Sequence, residues 1–75
     1  MPRYFFNLLH EPHGHDRQGS ELSDIHAART AAVRLSGEMI QEIDGAFWQA
    51  PLWQLEVTDH DRTRLFMLSF SAEEA

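Results

Sequence analysis

From Ile25 onward, apolar residues recur at spacings of three and four: Ile25, Ala28, Ala32, Leu35, Met39 and Ile43. That is the single stripe of an amphipathic helix, about five turns long. Ser23 stands where an N-cap hydroxyl would accept a bond from an orphan helical N–H. Asp24 follows at the first helical position, at the positive end of the dipole. The spacing therefore predicts a helix over Asp24–Ile43, ended by Asp44-Gly45, with Gly45 able to turn left-handed. A second strip, Val33, Gly37 and Ile40, runs beside the first. It reads either as a wider buried arc or as a face that meets a partner. Glycine inside a helix costs about 1 kcal/mol relative to alanine. Close approach of a bulky group would account for Gly37.

Elsewhere the period changes. Arg3 to Leu9 is a short aromatic and aliphatic run that reads as a buried strand. His10 to Gly19 carries a proline and two glycines among polar residues and reads as a loop. Gly19-Ser20-Glu21-Leu22 fits a short second strand pairing back on the first. Ala46 to Leu52 is a connector carrying Phe47 and Trp48 before Pro51. Trp53, Leu55 and Val57 then alternate with Gln54, Glu56 and Thr58, the rhythm of a half-buried strand. Asp59-His60-Asp61-Arg62 supplies turn chemistry, Arg64 to Phe70 is the last strand, and Ser71 to Ala75 is an acidic tail. The expectation is one α+β domain over residues 1–75. A single amphipathic helix packs on a three- or four-stranded antiparallel sheet in the order β(β)αββ.

The outer strands are apolar on both faces. Tyr4, Phe6 and Leu8 oppose Phe5 and Leu9; Phe66, Leu68 and Phe70 oppose Leu65 and Met67. One helix covers one face of a sheet, so the second face calls for its own cover. A second copy of the chain would supply it; so would Phe47, Trp48 and Leu52 folded back over that face. Trp53 falls on the inward rhythm of its strand, whereas Trp48 is placed for an interface, where indoles are enriched. The interface candidates are Phe5, Leu9, Val33, Gly37, Ile40, Trp48, Leu65 and Met67.

Size sharpens this expectation. A chain of 75 residues buries only about 60% of the surface its unfolded form exposes. Small domains commonly add disulfides, a metal or a partner subunit. With no cysteine, disulfides and thiolate zinc sites are excluded, leaving histidine-based metal binding, oligomerisation or unusually good packing. The net charge of −6, the absence of lysine and six dispersed arginines disfavour nucleic acid. No run approaches the ~20 apolar residues of a membrane span, and no signal-peptide pattern is present. The expectation is a cytoplasmic protein.

Three histidines and two carboxylates lie within His10-Glu11-Pro12-His13-Gly14-His15-Asp16. These are ligand types that zinc, nickel or copper prefer, so His10, His13 and His15 are metal candidates. Against them stands the lack of a rigid scaffold to orient each imidazole, and a solvated polar loop is the blander reading. His26 and His60 read as surface residues. Asp59 and Asp61 fit the backbone needs of a turn better than an acid–base pair. No nucleophile elbow, phosphate-cradling loop or HExxH pattern appears, so no enzyme and no cofactor are expected.

Several segments together carry a resemblance: Met1-Pro2-Arg3-Tyr4-Phe5-Phe6-Asn7, Asp16-Arg17-Gln18-Gly19-Ser20-Glu21-Leu22-Ser23-Asp24, the Ala27-Ala28-Arg29 helix start, Trp53 to Asp59, and Leu65-Phe66 to Phe70-Ser71. They resemble a family of short uncharacterised proteins common in alphaproteobacteria, a domain of unknown function. It therefore lends no catalytic or binding residues. The chain departs from that family in its His-rich loop and in having Arg62-Thr63 where the hairpin turn usually holds glycine. A looser similarity of topology links it to the N-terminal domain of HicB-type antitoxins. These observations point to a small non-enzymatic interaction module that self-associates or binds another protein. The alternatives are a metal binder using His10, His13 and His15, or an antitoxin-like regulator masking a basic partner.

Overall fold

The computed structural model describes residues 1–9, 11, 14–43, 45, 48 and 52–73. Its elements run β1 (Arg3–Leu8), β2 (Ser20–Glu21), α1 (Ile25–Ile43), β3 (Leu52–Thr58) and β4 (Arg64–Ser71). The four strands form one antiparallel sheet in the order β2-β1-β3-β4. This is the α+β arrangement that the hydrophobic rhythm predicts. Both β2 and β3 run antiparallel to β1, so α1 carries the chain from one side of β1 to the other.

The sheet's two faces are unequal. Tyr4, Phe6 and Leu8 pack with Trp53, Leu55 and Val57 and with Phe66, Leu68 and Phe70 beneath the helix. The register aligns them in rows, with Phe6 opposite Val57 and Val57 opposite Phe66. Leu55 and Val57, on the central strand, are fully buried. From the edge strand, Phe70 reaches Trp53 edge-on, with ring centroids 5.8 Å apart, a favourable aromatic geometry.

The helix starts one residue later than its sequence predicts, and for a visible reason. Asp24, not Ser23, is the cap: its Oδ1 accepts the Ala27 N–H at 2.9 Å, and its carbonyl accepts the Ala28 N–H at 3.1 Å. Both residues can cap, but the carboxylate adds charge at the positive helix end. The buried line along α1 is Ala28, Ala32 and Ser36, flanked by half-buried Ile25, Leu35, Met39 and Ile40. Small residues at the centre of the face let the helix settle close to β3. Gly45, expected to end the helix left-handed, is itself helical, as is Trp48. Asp44 and Phe47 lie outside the described residues.

The β3–β4 hairpin closes through Asp59, whose carboxylate Oδ1 accepts the Asp61 and Thr63 N–H groups. Arg62 takes φ 63°. This is the left-handed position of a three-residue hairpin loop, where glycine is the usual occupant. A bulge between Val57 and Thr58 sets Arg64 opposite Thr58 and leaves Leu65 without a partner on β3. Leu65 and Met67 lie on the face away from the helix by alternation, and the extra residue brings Arg64 to that face as well, where it reaches Glu56.

Candidate interaction surface

Among the described residues, the face of the sheet opposite α1 has no covering layer. Its apolar members are Leu52, Leu65 and Met67, exposed by 53, 40 and 36%, together with half-buried Phe5 and Leu9. Between them lie Arg64, whose Nε donates to Glu56 Oε2 at 2.7 Å, and Gln54, whose Nε2 donates to Ser69 Oγ at 3.2 Å. The surface is therefore mixed, an apolar group centred on β4 with polar positions on β3. Leu52 lies on this face but is exposed, so it forms no lid over it.

The sequence-derived candidates separate into distinct places. Phe5, Leu9, Leu65 and Met67 share the open sheet face, as their strand parity requires. Phe5 is partly sheltered by Gly19, where an added Cβ would lie 2.9 Å from the Phe5 ring. Val33 is 59% exposed on the outer side of the helix, on the side of the molecule opposite that sheet face. Gly37 is exposed, and nothing lies within 4 Å of where its Cβ would be. The close approach that would explain this glycine is absent. Ile40 packs on the core instead, and Trp48 is exposed in the connector.

The loop between β1 and β2 is built around one carboxylate. Asp16 Oδ2 accepts the Phe6 N–H at 3.1 Å, while its Oδ1 accepts those of Gln18 and Gly19. In return the Asp16 N–H donates to Oδ1 of buried Asn7 at 2.8 Å. Gly14 lies against the Leu8 carbonyl, and its own carbonyl accepts the Leu8 N–H at 2.8 Å. Gly19 takes φ 70° and sits over Arg3, Tyr4 and Phe5. Thus the N–H groups that β1 directs away from β3 are met by this loop or by β2.

Of the metal candidates, His15 is exposed and its Nε2 lies 2.6 Å from Arg62 Nη1. A guanidinium can only donate, so Nε2 accepts and the ring proton sits on Nδ1. That lone pair is turned to Arg62 rather than to a ligand. His10 and His13 lie outside the described residues, and no group of three ligating side chains occurs among those described. A cleft of about 340 Å³ opens beside the loop, lined by Phe6, Leu8, His15, Asp16, Leu35 and Met39. Of its polar side chains, His15 and Asp16 are already engaged, on Arg62 and on the backbone, and the third is the hydroxyl of exposed Ser20 on β2. His26 is exposed, as expected; His60 stands 3.4 Å from exposed Asp61.

The DUF6894 family model, a domain of unknown function, matches residues 3–71. The chain belongs to this family. In this DUF6894 domain, two of the segments that carry the resemblance hold Asn7, Asp16 and Gly19, which build the β1–β2 loop. Their role there is architectural. Comparison with curated proteins and with solved structures finds no match. No helix among the described residues is long and apolar enough to cross a membrane. Sequence reasoning missed Ser36 and the backbone edge of β4. The contrast between a two-residue β2 and an eight-residue β4 would have marked the second.

Proposed function

We propose that this DUF6894 domain is a non-enzymatic interaction module of the cytoplasm that works as a homo-oligomer, through the side of its sheet centred on β4. One observation carries the reading. β4 carries apolar residues on both faces and is covered only in part, with Leu65 and Met67 exposed on the open face and Phe66, Leu68 and Phe70 packed on the core but only half-buried toward the helix. The helix lies over β3, and β4 extends past its cover. Small chains of this kind gain from a partner what their own core cannot supply. Apolar side chains gathered on one strand are the natural place for that gain, at about 25 cal/mol per Å² removed from water.

Light scattering from low micromolar to several hundred micromolar tests this. The expected mass is a multiple of the chain mass over most of that range. A monomer throughout would remove the reading.

A further inference from the structure

Every sheet has two edges, and in this molecule they are treated differently. On the β1 side, Tyr4 pairs with Ser20, the Phe6 N–H is met by Asp16, and the Leu8 N–H by Gly14. The outermost strand on that side, β2, is only two residues long, the very short edge that offers little template for pairing. On the β4 side the direction of each backbone group follows from one bond. The Leu9 N–H donates to the Gln54 carbonyl at 3.1 Å, so Gln54 turns its backbone toward β1. By alternation Trp53, Leu55 and Val57 turn theirs toward β4, where they face Phe70, Leu68 and Phe66. The backbone groups of Met67, Ser69 and Ser71 therefore point out of the sheet, and they meet no partner among the described residues.

Natural proteins blunt such an edge with proline, lysine, an inward charge or very short strands. From Leu65 to Ser71 β4 has no proline and no charged residue, and its bulge lies at the hairpin end. We infer that β4 of one chain pairs antiparallel with β4 of a second copy about a two-fold axis at Ser69, joining two four-stranded sheets into one. This rests on the self-association proposed above and names its geometry.

Three features select that register and that partner. Met67 then faces Ser71 of the second copy, and Ser69 faces its own equivalent, so all three outward-pointing residues find hydrogen-bonded partners. Between them, Leu68 falls opposite Phe70 of the second copy, in the closer non-hydrogen-bonded positions. Both side chains are half-buried on the helix side, and such an apolar cross-strand pair is stabilising. The charges also agree. β4 begins at Arg64, and Glu73 follows two residues after its last residue, Ser71. An antiparallel pairing sets start against end, bringing Arg64 near Glu73 of the second copy. The Nε of Arg64 already serves Glu56, which leaves its two Nη groups for that contact. A parallel pairing would set Arg64 beside Arg64. Because the relation is reciprocal, the charge pair and the Leu–Phe pair each form twice.

Single cysteines read this geometry in a chain that has none. Hydrogen-bonded antiparallel partners have Cα atoms about 5.5 Å apart, within disulfide range. Ser69→Cys should therefore cross-link nearly completely under mild oxidation. Ser71→Cys should not, because its equivalent lies four residues along, about 14 Å away. Ser69→Pro removes an outward N–H and no backbone bond to β3, losing there only the exposed Gln54 Nε2–Ser69 Oγ bond, so it should give a monomer with unchanged helical circular dichroism; if it fails to fold, the cysteine pair decides alone. Leu52→Lys, on the open face but off the edge, should leave the dimer intact. A dimer in which Leu52→Lys dissociates the chains and Ser69→Cys does not cross-link would overturn edge pairing while self-association stands. A wild-type monomer at every concentration would overturn both.

Discussion

Ser36 sits at the centre of the helix face that meets the sheet, fully buried, with no hydrogen-bond partner for its Oγ among the described residues. An unmet hydroxyl in such a place costs about 1–3 kcal/mol. Ser36→Ala removes it without leaving much of a void, so urea unfolding should show a gain of about 1 kcal/mol or more. The two glycines Gly19 and Gly37 make a contrasting pair. At Gly19 a side chain would meet Arg3, Phe5 and the Tyr4 carbonyl near 3 Å with φ at 70°, so Gly19→Ala should lose about 1–3 kcal/mol. At Gly37 the space is open, and Gly37→Ala should gain about 1 kcal/mol. A loss at Gly37 comparable to that at Gly19 would contradict this account.

At the scale of elements, the β1–β2 loop depends on Asp16, which holds three backbone N–H groups. Asp16→Ala should cost about 2–3 kcal/mol, because charge-accepted bonds are the stronger kind. Asp16→Asn, which keeps one acceptor oxygen, should lose less. Amide exchange would speed up first at Phe6, Gln18 and Gly19. Much at this scale was legible in the sequence. The three-and-four spacing of α1 and the alternation through β3 fix which face each residue takes, because side-chain periods follow from backbone geometry. Three features were not legible. Whether Ser23 or Asp24 caps the helix depends on how the chain leaves β2. Whether Gly37 serves close packing depends on what lies above it. And the Asp16 loop is tied to Asn7, a contact across nine residues that no local pattern announces.

For the whole molecule, the open sheet face was readable from strands apolar on both sides. Which candidates share a surface was not, since Val33 and Met67 are separated only once the helix is laid on the sheet. Oligomerisation makes thermal stability depend on concentration. For a dimer of two such chains, each tenfold rise in protein should raise the melting temperature by about 4 °C. Scanning calorimetry at three concentrations would show it, and a constant melting temperature would count against association.

The finished β1 edge has a consequence for how far assembly can go. A chain with two open edges can polymerise without limit, since each added copy offers a fresh end. Here the two-residue β2 and the loop around Asp16 close off one side, so under the proposed pairing a single neighbour would exhaust the capacity for strand exchange. Growth by the proposed β4 pairing would end at a closed pair rather than run on into a fibre. In the pairing inferred above, the same aspartate that shapes a surface loop would also help set the stoichiometry.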